Sequence, residues 1–375
     1  MAITIKEVVT KIDLKKWVNF PNVLYKNEEY FVPFLTVDEI GTFTKEENPA
    51  FEYCESKLLL AYKEGKIVGR IGGIINHAAN KKWEQNRLRF TRFDFIDDYE
   101  VSSALFNEIV KWGKERGFTQ IIGPIGFHDL DHEGMLVEGF NELNMSITFY
   151  NFPYYLEHME KLGLKKDIDW VEFQVAVPNE SNEKIERLCQ FLSKRLDFEV
   201  VRYTNRKVLY KDAFKAFKII DEAFSVLYGT VPLTDAVIKK AIDDNIPLIN
   251  MKYVATVKDK DGEIVGFALL VPSIAKALKK SNGKLLPFGI FRMLNALNGK
   301  NDVLEMFLIG IKPIHQSKGL PVLLINEMLK ICRENGVKYC ETGPELETNK
   351  NIHSLWKNFD GVRQHKRRRC FIKDI

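Results

Sequence analysis

Cysteine is scarce in this chain and shows no pairing pattern. Cys54, Cys189, Cys332, Cys340 and Cys370 lie far apart, with no Cys-x-x-Cys pair and an odd total. That argues against a disulfide framework and for inert thiols in a reducing compartment. Long apolar runs are missing as well; none approaches the roughly 20 residues a membrane-spanning helix needs. The opening Met-Ala-Ile-Thr-Ile-Lys-Glu-Val-Val spreads charge through the place where a signal peptide keeps an uninterrupted apolar stretch. No membrane span is expected, and the expected location is cytoplasmic. A strong charge of either sign is also absent: the formal balance is +4 over 375 residues. That permits an anionic ligand without arguing for nucleic acid. What remains, 45% apolar and 28% charged residues, describes a globular protein able to bury a proper core, and the length favours two domains.

The chain reads as one unit written twice. Leu58-Leu-Leu-Ala-Tyr-Lys-Glu-Gly65-Lys-Ile-Val-Gly69 and Lys252-Tyr-Val-Ala-Thr-Val-Lys-Asp-Lys-Asp-Gly262-Glu-Ile-Val-Gly266 each predict a β-hairpin with Gly-x-Ile-Val-Gly entering its second strand. Lys114-Glu-Arg-Gly117 through Gly123-Pro124 echoes Arg333-Glu-Asn-Gly336 through Gly343-Pro344: a helix end, a glycine just past it, a short buried strand and a Gly-Pro break. The landmarks lie 197 residues apart at the hairpin and about 220 at the helix end. The second copy therefore carries an insertion, assigned to 272–302 and expected to form one or two short helices broken at Ser281-Asn-Gly283 and Pro287. The junction is placed near Pro178-Asn-Glu-Ser-Asn182, giving domains 1–178 and 179–375. The mixed order of helices and strands predicts an α/β (α+β) class, each domain a mixed, mostly antiparallel sheet flanked by helices.

The most informative stretch is Glu305-Met-Phe-Leu-Ile-Gly-Ile-Lys-Pro-Ile-His-Gln316-Ser-Lys-Gly319-Leu-Pro321. A strand ends, a glycine-bearing loop follows, and a helix starts. Backbone N–H groups and a helix N-terminus then converge where a phosphate can be held. After Pro321, the residues Val322, Ile325, Leu329 and Cys332, widened by Leu324, Met328 and Ile331, form the helix's core stripe.

This loop resembles the coenzyme A pyrophosphate loop of the GNAT acyltransferases, Gln/Arg-x-x-Gly-x-Gly/Ala. Gln316 and Gly319 match, and Pro321 replaces the last small residue. Asn349-Lys-Asn-Ile352-His-Ser-Leu355-Trp356, followed by Gly361-Val362, is similar to the family's Asn-x-x-Ala-x-x-Leu-Tyr segment and the Gly-Phe after it. The resemblance, which extends over nearly the whole chain, is to bacterial two-domain GNAT proteins. It implies two tandem GNAT-like domains, with coenzyme contacts from Leu308, Ile309, Gly310, Ile311, Gln316, Ser317, Lys318, Gly319, Leu320, Asn349 and Trp356. Glu305 is the implied general base, with Glu341, Glu345 and Glu347 as weaker alternatives; N–H groups of Leu308–Gly310 would face the oxyanion. Trp356 stands where the family often has an acidic tyrosine. An indole N–H is not a transferable proton, so the acid must be another group or solvent.

The corresponding junction in the first half, Arg92-Phe-Asp-Phe-Ile-Asp97-Asp98-Tyr99-Glu100, has no glycine and gathers carboxylates. Asp97 or Asp98 reads as a helix N-cap, and this copy is not expected to hold a pyrophosphate. His128 and His132 sit among carboxylates, but glycines at 126 and 134 argue against the helix that such a metal pair would need, and no metal is expected. The segment reads as a substrate-side loop with Phe149-Tyr150-Asn-Phe-Pro153-Tyr154-Tyr155 as a wall, or as a plain connection with buried aromatics. Arg363-Gln-His365-Lys-Arg-Arg-Arg369 reads as a final strand whose charges split between two faces, which argues against a nucleic-acid partner.

Together these readings imply an acyl-CoA-dependent N-acyltransferase. Acetyl-CoA or a longer acyl-CoA is its co-substrate and a small-molecule or peptide amine its acceptor. The alternative is a tandem GNAT scaffold that binds acyl-CoA or another ligand without catalysis. Transfer from a charged tRNA is a third class, opposed by the modest net charge. The acceptor, acyl length and oligomeric state are not encoded legibly.

Overall fold

Glu64 and Gly65 both take positive φ, 52° and 74°, the geometry of the tight turns that match strand twist in a hairpin. In the computed structural model, which describes residues 2–357 and 359–375 apart from the side chains of Ser317 and Asn351, this turn joins the strands predicted from sequence. The chain divides into two compact units. One comprises residues 1–171, 275–290 and 365–375, and the other 172–274 and 291–364.

The elements run β1 (Thr4–Glu7), α1 (Lys11–Leu24), α2 (Thr36–Thr42), β2 (Cys54–Lys63), β3 (Lys66–Asn76), α3 (His77–Lys82), β4 (Arg87–Phe95), α4 (Tyr99–Lys114), β5 (Gln120–Gly123), β6 (Met135–Glu138), α5 (Tyr155–Lys161) and β7 (Lys165–Ala176). They continue with α6 (Glu183–Leu196), β8 (Glu199–Arg202), α7 (Arg206–Phe224), α8 (Asp235–Asn245), β9 (Val254–Lys258), β10 (Ile264–Pro272), α9 (Ala275–Ser281), α10 (Gly289–Asn298), β11 (Val303–Ile311), α11 (Leu320–Glu334), β12 (Tyr339–Thr342), β13 (Glu345–Leu346), α12 (Lys350–Trp356) and β14 (Val362–Asp374).

The same order of pairing appears in both units. In the first, β1 to β4 pair antiparallel, β4 and β5 pair parallel across the helix α4, and the last strand β14 closes antiparallel on β5. In the second, β8 to β11 pair antiparallel, β11 and β12 pair parallel across α11, and the end of β7 closes antiparallel on β12. The parallel pair requires a crossover connection, and in each copy the helix that makes it supplies the core. From α4, Val101, Leu105, Phe106, Ile109 and Trp112 are buried against the first sheet. Leu320, Leu323, Leu324, Ile325, Met328 and Leu329 of α11 do the same for the second. Val322, expected in that stripe, is only half-buried.

This division differs from a single junction near Pro178. Phe371–Asp374 pair with Gly123–Gln120, which brings the end of β14 into the first unit. The inserted segment is divided too: α9 belongs to the first unit, where Lys279 Nζ donates to the carbonyls of Glu28 (3.3 Å) and Phe31 (3.0 Å), and most of α10 belongs to the second.

Candidate active site

The pairing of β11 with β12 runs only from Val303↔Tyr339 to Met306↔Thr342. β11 then continues to Ile311 beside β10 alone, so the two parallel strands part at that point. Within the same stretch, Leu269 faces Leu308 while Leu270 faces Met306, leaving Phe307 as a β-bulge. A bulge bends a strand and re-aims its backbone, and bulges concentrate beside functional sites. Leu308, Ile309, Gly310 and Ile311, the residues expected from sequence to contact a coenzyme, lie on the parted edge.

Alternation along β11 fixes where Glu305 points. Leu304 is fully buried in the α11 core, so Glu305 faces the opposite side of the sheet, opposite Val271 of β10. It is only 3% exposed and accepts a 2.7 Å hydrogen bond from Ser273 Oγ. A buried carboxylate held by a hydroxyl is unlike the solvent-facing strand carboxylate that most sequences would place there. On the same face a narrow apolar cleft of about 60 Å³ opens between α7, α8 and strands β9 to β11, lined by residues including Leu209, Ala213, Phe217, Phe267, Leu269 and Leu308.

The segment between β11 and α11 is more ordered than the loop expected from sequence. Pro313–Lys318 form a 3-10 helix, and Gly319 then takes φ 82° to start α11. A left-handed conformation suits glycine, and a Cβ there would meet Leu192 Cδ1 of α6 at 2.9 Å. The α11 N-terminus has no side-chain cap, and Pro321 occupies its first turn. Its N–H groups thus keep the polarity that draws anions. Gln316 donates to the Ile311 carbonyl at 3.2 Å, tying the turn to the strand end. Lys318 Nζ lies 3.1 Å from His315 Nδ1, and burial, with Lys318 and Lys312 nearby, lowers the His315 pKa. The Ser317 side chain lies outside the described residues.

Asn349 serves as the N-cap of α12, accepting from the Ile352 N–H at 3.4 Å. Trp356, 5% exposed, ends that helix and directs its indole N–H at both carboxyl oxygens of Glu345, 3.1 Å from each. His353 Nε2 is 3.7 Å from the same carboxyl. Burial pushes the Glu345 pKa up to about 8, an effect the Trp356 hydrogen bond only partly offsets. Burial also lowers the His353 pKa. Next to Trp356, the residue at the expected tyrosine position, thus sits a carboxyl that burial shifts toward its protonated form. Sequence reasoning ranked Glu345 among the weaker base alternatives. The signal it underused is that a buried indole at that position needs an acceptor.

In the first unit, Asp98 caps α4 by accepting from Glu100 N (3.0 Å) and pairs with Lys63 (2.7 Å), while Asp97 meets His158 at 3.1 Å. The acidic junction is thus committed to structure. Nearby, the guanidinium of Arg92 is buried between Glu39 (2.8 Å) and Asp131 (2.7 Å), with His132 Nδ1 at 3.2 Å and the rings of Phe43 and Phe149 beside it. Burial opposes charge on Asp131, and Arg92 overrides it, holding that carboxyl well below the usual range. The expected substrate-side loop contributes Asp131 and His132 to this network. Among the described residues, no group of three His, Cys, Asp or Glu side chains is arranged to hold a metal ion.

No family model matches the sequence. Two curated relatives are each 26% identical to it: Protein YghO of Escherichia coli (strain K12), over 99% of this chain and 95% of that protein, and Bacterial ceramide synthase of Caulobacter vibrioides, over 98% and 96%. Among solved structures, the tandem GNAT protein from the clavulanic acid biosynthesis pathway aligns over 100% of this chain and 98% of its own, at 10% identity and a TM-score of 0.58. This chain has a tandem GNAT fold. A GCN5-related N-acetyltransferase from Sphaerobacter thermophilus aligns over 99% and 95%, at 11% identity and a TM-score of 0.51. The parted parallel strands, the bulge at Phe307 and the uncapped start of α11 lie in the second unit together with the buried Glu305 carboxylate.

Proposed function

We propose that this protein transfers an acyl group from a coenzyme A thioester to the amine of a molecule with a long hydrocarbon chain. The observation that carries the reading is the opening between β11 and β12 at Met306 and Thr342, flanked by the buried Glu305. The uncapped start of α11, with Gln316, Lys318, Gly319 and Leu320, would receive the diphosphate. Leu308–Ile311 would offer their backbone to the coenzyme's arm, and the N–H groups of Leu308–Gly310 to the charge that builds on the carbonyl oxygen. Asn349 lies at the start of α12, where the resemblance puts a coenzyme contact.

Glu305, fixed by Ser273, takes the proton that the amine sheds as its nitrogen bonds to the thioester carbon. As the carbon–sulfur bond breaks, Glu345 gives its proton to the departing sulfur, with Trp356 holding the carboxylate that results. Solvent exchange then resets both groups. Effective general acid–base groups have pKa values near the working pH, and Glu345 is in that range.

The long chain is supported by two observations. One is the apolar cleft on the Glu305 face. The other is the relative named Bacterial ceramide synthase, since a ceramide is the amide of a long-chain amino alcohol and a fatty acid. The test is thiol release from acyl-CoA of graded chain length with short- and long-chain amines. Release that rises with chain length on either partner supports the proposal; release with neither partner overturns it. The second reading, a scaffold that binds without turnover, draws on Pro321, which removes an N–H from the first turn of α11. A thermal shift with acyl-CoA and no thiol release would select it. Ligand at a hundred times its Kd raises stability by about 2.7 kcal/mol.

A further inference from the structure

No aspartate or glutamate stands between Glu263 and Asp302, while Lys276, Lys279, Lys280, Lys284, Arg292 and Lys300 all do. Within this stretch, α10 buries Met293 and Leu297 and turns Phe291 and Leu294 outward, 69% and 39% exposed. The turn leading into it holds Leu286 and Phe288 at 78% and 64% exposure. Lone exposed apolar residues are common on protein surfaces, but three large ones within six positions, next to one-sign charge, are not. Lys276, Lys280, Lys284, Arg292 and Lys300 are all exposed, and Lys279 is engaged by backbone carbonyls.

We propose that the segment 284–294 is a membrane-contact surface. Leu286, Phe288 and Phe291 would enter the headgroup–acyl boundary of a bilayer rich in anionic lipid, with the surrounding lysines and Arg292 facing its phosphates. This is attachment and not a span: α10 has 10 residues, half of what crossing requires. Large apolar side chains with basic residues and no acids make up the pattern that lies in a membrane interface. Each basic residue near an anionic surface strengthens attachment by about five-fold, and salt weakens it within a Debye length. An acidic protein partner would meet the charges but not the exposed apolar side chains of Leu286, Phe288 and Phe291. The inference does not depend on acyl transfer.

The test is flotation of the full chain with phosphatidylcholine vesicles, with and without phosphatidylglycerol, at low and high salt. Binding to the phosphatidylglycerol vesicles is expected, weakened several-fold by salt and on phosphatidylcholine alone. The pair Phe288→Ser and Phe291→Ser, both at exposed positions, should cost tenfold or more, and Lys276→Glu with Lys284→Glu should remove the preference for anionic lipid. In a Phe288→Trp variant, the indole emission should shift to the blue on adding vesicles. Absence of vesicle binding, or binding unchanged by both pairs of substitutions, overturns the proposal. So does a Phe288→Ser and Phe291→Ser protein that differs only by converting a dimer to a monomer, which would make the patch a contact between copies.

Discussion

The indole N–H of Trp356 stands 3.1 Å from each carboxyl oxygen of Glu345. In the proposed transfer, where a tryptophan stands in place of a tyrosine, the acid for the departing sulfur would be the Glu345 carboxyl, whose pKa burial raises to about 8.

Stability should record that proton. Glu345 has its pKa raised to about 8 in the folded chain, against an ordinary glutamate value of about 4.3. The folded state therefore keeps a proton that the unfolded state loses. Stability should fall as pH rises between those two values and level off above the upper one. Glu345→Gln does not titrate, so its advantage over the parent should grow by up to about 1.4 kcal/mol per pH unit across that window. Urea midpoints at pH 5, 6.5 and 8 check this; a shift that does not vary with pH would refute it.

Activity should separate the two carboxyls. Glu305→Gln should reduce thiol release by roughly a hundredfold or more while the acyl-CoA thermal shift persists, as removal of a general base does. Ser273→Ala should cost less, roughly tenfold, since it loosens Glu305 without removing it. Glu345→Gln should slow release and erase the decline in rate that the parent shows above about pH 8. If Glu305→Gln leaves turnover intact, the base lies elsewhere.

The start of α11 should prove sensitive to very small changes. Gly319→Ala meets both a φ of 82° and Leu192, and should cost about 1–3 kcal/mol. Lys318→Ala should leave stability unchanged and weaken acyl-CoA binding several-fold at low salt, an effect that fades as salt screens the exposed charge. Calorimetry at two ionic strengths checks both.

Arg92→Met should destabilise by about 3–5 kcal/mol, because it strands the buried carboxylates of Glu39 and Asp131. Thermal and urea unfolding measure the loss. Glu39→Gln with Asp131→Asn in the same background should recover part of it, which would identify uncompensated charge, and not lost packing, as the cause.

Much of the fold was legible because it is written in local terms. The hairpins at Gly65 and Gly262 and the helix ends at Gly117 and Gly336, with φ of 80° and 68°, are short-range signals. The apolar stripe after Pro321 is equally local, and apart from Val322 it faces the core as its period required. What was not legible depends on pairing over long distances. Nothing near Phe371 says that its strand closes on Gly123, and nothing near Ala275 says that α9 belongs with residues from the start of the chain. The bulge at Phe307 depends on the register of β10, and the buried state of Glu345 depends on where α12 packs. The turn at Gln316–Gly319 was located correctly but expected as a loop; Pro313 and the bond from Gln316 to Ile311 wind it into a 3-10 helix. Polar placement in the first unit was least legible of all, since Asp131 meets Arg92 across 39 residues of sequence.

The closing strand of the first sheet has a consequence for biosynthesis. Its partner β5 is complete once residue 123 has been made, yet Phe371–Asp374 are made only after all the residues between them. Throughout translation of everything between, β5 presents an open edge, the kind of template on which stray strands assemble. The two halves are therefore not beads that mature one after the other. A first half cut at the repeat boundary would leave that edge of β5 without its strand.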